Sequence, residues 1–131
     1  MAERPLPVPD RETAPFWEAA REGRLRIQRC RGCGRTVFYP RSLCPHCHSA
    51  ELEWVDCSGR GSVYSFTVVQ RTSEEFKAEL PFIVGLVELE EGVRMMARLE
   101  VAEPAVGMSV EVWFERVSDE LSLPHFKEVD A

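Results

Sequence analysis

With 131 residues, 44% of them hydrophobic, the chain can build one real core or a small module beside one compact domain, and is too short for several domains. The net charge of -6 is unevenly spread: residues 1–48 carry nine Arg or Lys against five acidic residues, a balance of +4, whereas residues 49–131 carry seven against seventeen, a balance of -10. The longest apolar run, Phe82 to Val87, is far too short to cross a bilayer, which excludes a helical membrane span.

The chain opens on a proline-rich arm with charges at Glu3, Arg4 and Asp10, which lacks the apolar stretch of a secretory signal and points to a cytoplasmic protein. Thr13 is placed to cap a short helix that starts at Ala14 and Pro15 and ends at Gly23, a residue suited to the position just past a helix C-terminus. Phe16, Trp17, Ala19 and Ala20 form one broad apolar face. A helix of about ten residues is marginal alone, so this face must pack, either on its own domain or on a partner protein with Phe16 and Trp17 as aromatic anchors. Residues 1–23 thus read as an N-terminal arm and docking helix. Leu25 and Ile27 then alternate with Arg24, Arg26 and Gln28, the pattern of a strand delivering the chain to Cys30.

Residues 24–56 hold the strongest motif: Cys30, Cys33, Cys44 and Cys47 in the order C-x2-C-x10-C-x2-C. Each Cys-x-x-Cys turn converges two thiolates, and two such knuckles complete a tetrahedral shell of soft sulfur ligands, for which Zn2+ is the default occupant. The linker of 10 residues is shorter than usual for such pairs, yet Thr36 to Tyr39 can lead away and Pro40 to Leu43 return. Gly34 supplies the positive φ that a tight knuckle requires. His46 and His48 are alternative ligands, read instead as solvent-facing neighbours, and iron is the alternative metal. A disulfide or redox dithiol fits a cytoplasmic chain poorly. Arg29, Arg31, Arg35 and Arg41 surround the knuckles as a solvated or ion-paired face, with a phosphate site as the sharper option, and Cys57 reads as a partly buried thiol beside a strand.

From residue 57 to 131 the pattern is β. Gly61 to Val69, Phe82 to Leu89, Val93 to Leu99, Val110 to Val117 and Leu121 to Phe126 are five strands, with a hairpin turn at Glu90-Glu91-Gly92 and one helical candidate from Ser73 to Leu80. Five short strands fit a small closed barrel of the oligonucleotide- or oligosaccharide-binding (OB) type, with an SH3-like barrel as the competing topology.

No catalytic constellation emerges. A four-cysteine shell leaves a metal no position for water, so a structural role is expected. His125 stands without a nucleophile motif and reads as a surface or strand-end residue, while Ser62, Ser65 and Thr67 belong to a strand. No glycine-rich phosphate loop is present. The chain is therefore expected not to be catalytic alone. Binding of single-stranded nucleic acid, common for ribbons and OB barrels, is the alternative function, disfavoured by the -10 balance of the barrel half.

Pro15-Phe16-Trp17 through Gly23, Cys30-Arg31-Gly32-Cys33-Gly34, Cys44-Pro45-His46-Cys47, Gly61-Ser62-Val63-Tyr64-Ser65-Phe66-Thr67 and Gly107-Met108 together resemble the family called domain of unknown function thirty-five, over nearly the whole chain. The resemblance implies a mostly β fold: an N-terminal helix, a rubredoxin-like zinc ribbon and a five-stranded OB-fold barrel. It also implies an accessory subunit of a thiolase-fold acyl-CoA enzyme, such as a sterol-carrier-type thiolase or an aldolase of steroid side-chain degradation, in a heterotetramer. A CoA thioester would be a ligand of that complex, with the arginines near the ribbon available to its phosphates.

Overall fold

The computed structural model describes residues 4–129. Its first helix, α1 (Ala14–Arg21), begins with Pro15 near its N-terminus and closes with paired bonds, Gly23 N–H to Ala20 O at 3.0 Å and Arg24 N–H to Ala19 O at 2.9 Å, with Gly23 at φ 79°. This is the glycine stop read from the sequence. The start differs from expectation: Thr13 makes no side-chain cap. Its hydroxyl donates to Asp10 Oδ1 at 2.9 Å, the same oxygen accepts the Thr13 N–H at 2.8 Å, and Asp10 O accepts the Ala14 N–H. Thr13 Oγ1 in turn accepts the Asp10 N–H at 3.0 Å, so the two residues close the helix entry reciprocally.

Strands β1 (Arg26–Cys30), β2 (Thr36–Val37) and β3 (Leu52–Asp56) form an antiparallel sheet in the order β2-β1-β3, with Gln28 opposite Val37 and Ile27 opposite Val55. The remaining strands, β4 (Arg60–Val69), β5 (Phe82–Leu89), β6 (Arg94–Glu100), β7 (Ser109–Arg116) and β8 (Ser122–Glu128), close into a barrel in the order β4-β5-β6-β8-β7. β6 and β8 run parallel and every other pair runs antiparallel, an OB arrangement that resolves the SH3-like alternative. Closure depends on β4. It is ten residues long, kinks at a register shift between Val63 and Ser65, and pairs with β7 at one end and β5 along most of its length. A methyl group on Gly61 would collide with the Glu88 carbonyl, so the close β4–β5 approach needs glycine there. The helical candidate at Ser73 to Leu80 is a 3-10 turn, Glu74–Glu79, with no buried residue. Without an apolar face to bury, the segment gains nothing from a longer α-helix.

One core unites these parts. Phe126, Val63, Val87 and Val110 fill the barrel and pack in the same cluster as Phe16 from α1 and Leu25 and Ile27 from the start of the ribbon. Phe16, expected as an anchor for a partner, is 2% exposed and spent on this core; only Trp17, edge-on to it at 4.9 Å, remains half-buried. The apolar face of α1 had two possible destinations, and its own barrel is the nearer one.

Candidate functional site

The two knuckles are built alike. In the first, the Gly34 N–H returns to Cys30 O at 2.8 Å with Gly34 at φ 78°; in the second, the His48 N–H returns to Cys44 O at 2.9 Å with His48 at φ 66°. His48 therefore occupies the turn position of Gly34 and does not approach the sulfurs. His46 is exposed, and its Nδ1 lies 3.2 Å from Arg35 Nη1. The sulfurs of Cys30, Cys33, Cys44 and Cys47 all lie within 4.8 Å of one another, with Cys30 to Cys47 at 3.6 Å and Cys33 to Cys44 at 3.7 Å. A tetrahedron with metal–sulfur bonds of about 2.3 Å has edges of about 3.8 Å, which the two shorter separations match, so four sulfurs of the right kind are gathered at close to the size a zinc ion requires.

The surroundings favour thiolate at Cys30 and Cys44. The backbone N–H of Cys33 is the largest influence drawing the Cys30 thiol down to about 7, while Cys44 N–H bonds Ser49 O and Cys44 Sγ accepts the His46 N–H at 3.4 Å. Cys47 goes the other way, up to about 11: the Ser49 backbone N–H lowers it, but the Cys30 sulfur, burial and the remaining two sulfurs outweigh that donor. Sequence reasoning passed over Gln28. It shares the ribbon-facing side of β1 with Cys30, is 5% exposed, and clamps the linker between the knuckles through Nε2 to Arg41 O at 2.9 Å and Arg41 N to Oε1 at 2.8 Å. An amide where the alternating pattern offered charges was the available signal.

Outside the sulfurs, the basic face is largely neutralised. Arg24 and Arg26 meet Asp56, and Arg29 and Arg31 meet Glu53, at 2.9 to 3.7 Å. Cys57, half-buried next to β3, has its thiol pushed up to about 12, first by burial and then by Glu91, so it is no nucleophile. Glu91 also ties ribbon to barrel: its carbonyl accepts Thr36 Oγ1–H at 2.8 Å and its carboxylate the Ser58 N–H at 3.0 Å.

A second feature is a cleft of about 500 Å³ where helix, ribbon and barrel meet, lined by Phe16, Trp17, Phe38, Tyr39, Met96 and Leu123 and bordered by Arg4, Arg98 and His125. His125 is not the surface residue expected from sequence. It is 5% exposed on β8, its ring tilted against Trp113 at 5.0 Å, with Nε2 3.1 Å from Glu115 Oε1 and Nδ1 3.8 Å from Glu100 Oε1 but without a hydrogen bond among the described residues. Burial, more than any neighbouring charge, lowers its pKa below 6.5 and keeps the ring neutral.

Residues 17–53 match the family described as ChsH2, rubredoxin-like zinc ribbon domain, and residues 54–115 match the ChsH2 C-terminal OB-fold domain. One chain of the solved Ltp2-ChsH2(DUF35) aldolase superposes with a TM-score of 0.83 at 36% identity, covering 94% of this chain and 98% of that one. The probable enoyl-CoA hydratase alpha subunit of Thermomonospora curvata is 38% identical over 127 residues, 95% of this chain, and this chain spans 40% of its length. The benzoylsuccinyl-CoA thiolase subunit BbsA of Thauera aromatica is 36% identical over 88 residues, 65% of this chain and 60% of that protein.

Proposed function

This chain belongs to the DUF35 family (domain of unknown function thirty-five) of ChsH2-type zinc ribbon and OB-fold proteins, and we propose that it is a non-catalytic accessory subunit of a thiolase-fold acyl-CoA enzyme. The observation that carries this reading is the end-to-end match to one chain of an aldolase assembly, at 36% identity with 98% of that chain covered. A relative that is a thiolase subunit points to the same kind of partner.

In this reading Cys30, Cys33, Cys44 and Cys47 hold a structural zinc, which supplies folding energy to residues 24–56 and no open position for chemistry. The ribbon, the OB barrel of residues 57–131 and the exposed edge of the N-terminal segment share the contact with the partner in a heterotetramer, in the cytoplasm. No helix among the described residues is long and apolar enough to cross a membrane. Acyl-CoA is the ligand of the assembled enzyme, with Arg35 and Arg41, which carry no carboxylate partner among the described ion pairs, nearest the ribbon for its phosphates. Co-expression with the proteins of neighbouring genes, followed by affinity capture on this chain, should recover a thiolase-fold protein in fixed stoichiometry. A chain that emerges alone from every such co-expression would overturn the proposal.

A further inference from the structure

β6 and β8 pair only from Arg98 opposite His125 to Glu100 opposite Lys127, and diverge before that. Pro124 is the reason. The next bond of a parallel ladder in this register needs an N–H at residue 124 for the Met96 carbonyl, and proline has none. The other side of β6 fixes which way Met96 faces. The hairpin closes on the bond from Leu89 N–H to Val93 O at 2.8 Å, so the bonded pairs with β5 fall at Val87 and Met95 and at Gly85 and Ala97. Arg94 and Met96 alternate with these and turn N–H and C=O away from β5, toward the fork that β8 leaves open. That fork is the cleft: Met95, Met96 and Ala97 line it from β6, and Leu123, Pro124 and His125 from β8.

The cleft thus joins a bare strand edge to apolar walls. Met96 is 70% exposed and Tyr39, on the ribbon side, 48%, which is more apolar surface than a folded chain leaves open without use. The charges nearby are already matched, Arg94 with Glu88 at 3.2 Å and Arg98 with Glu79. What stays unsatisfied is main chain and apolar surface together. An acyl tail would cover the walls and strip water from the Met96 N–H and C=O without replacing it. An extended peptide answers both, with main-chain bonds to the edge and alternate side chains set into the cleft.

We propose that the fork between β6 and β8 receives an extended segment of the thiolase-fold partner, which adds as a strand to the β6 edge at Arg94 and Met96 and places a bulky apolar side chain in the cleft; this rests on the accessory-subunit reading. In the complex captured by co-expression, the amides of Arg94 and Met96 should exchange hydrogen about tenfold more slowly, or slower still, than in the isolated chain, while those of Met95 and Ala97, already bonded to β5, change little. Met96→Pro deletes a donor that does not serve β5, a position where an edge strand tolerates proline. It should bind the partner about fivefold more weakly than Met96→Ala, the worth of one main-chain hydrogen bond. If Met96→Pro fails to fold, the exchange comparison on the native chain decides by itself. A complex in which the Arg94 and Met96 amides exchange as before, or equal affinity of the two folded variants, would overturn the proposal and leave the accessory role standing, whereas the absence of any complex would overturn both. Slowed exchange of the isolated chain on adding butyryl-CoA, or on raising its own concentration, would give the edge to a thioester or to a second copy and overturn the proposal as well.

Discussion

Removing the metal should unfold the ribbon and spare the barrel. The ribbon's own apolar cluster consists of Cys30, Val37 and Cys44 with Leu52 at its edge. Burying one valine and part of one leucine stabilises by roughly 3 kcal/mol, and the two Gln28 bonds to Arg41 add about 1 kcal/mol each. That cannot hold residues 31–51 in place when each ordered backbone residue costs about 1–2 kcal/mol. A structural zinc in a small module contributes on the order of 10–16 kcal/mol, about two to three times those terms combined. Spread over four sulfurs this is roughly 3 kcal/mol per ligand, so Cys44→Ser should weaken zinc about 100-fold in a competitive chelator titration. β1 behaves differently, because Ile27 on its other side and Leu25 just before it belong to the main core. Amide exchange after chelation should therefore show lost protection from Arg31 to Glu51 and retained protection in β4, β5 and β7. Protection that survives chelation throughout the ribbon, or a barrel that unfolds with it, would refute the reasoning.

Other outcomes follow from particular contacts. Phe16→Ala should cost about 3–5 kcal/mol in urea unfolding, since the ring is buried in the core shared by helix and barrel; a loss below about 1 kcal/mol would detach α1 from that core. Stability should fall as pH drops below 6.5, because burial holds the folded His125 neutral while the unfolded chain takes up the proton. Asp56, held below its ordinary 3.8 chiefly by Arg26, adds a loss of the same sign in more acid solution. Thermal midpoints of His125→Gln should lack the component just below pH 6.5 and keep the acid one. Mobility-shift titration with single-stranded DNA should show no salt-sensitive complex, since Asp56 and Glu53 occupy four of the ribbon's arginines.

What could be read in the sequence was what depends on local periodicity and spacing. The C-x2-C-x10-C-x2-C pattern located the sulfurs that the structure gathers within 4.8 Å, and apolar, β-branched runs between turn residues located all five barrel strands to within a residue or two. Long-range choices were hidden. The apolar face containing Phe16 has the same sequence whether it meets a partner or its own barrel, and only closure of the barrel next to it decides. His125 read as a surface or strand-end residue because it stands near the C-terminus without a nucleophile motif. Its burial comes from the segments that surround the cleft, which are distant in sequence. Thr13 read as the cap of α1, but its hydroxyl and N–H are taken up by the reciprocal bonds with Asp10.

The most direct test of the accessory role is reconstitution of turnover. The co-expressed thiolase-fold partner should be assayed for thiolysis or retro-aldol cleavage of its acyl-CoA, alone and after addition of this chain. The account predicts activity that rises with this chain until the two subunits reach a fixed ratio, and no activity from this chain by itself. A partner fully active without it, or turnover by this chain alone, would contradict the account.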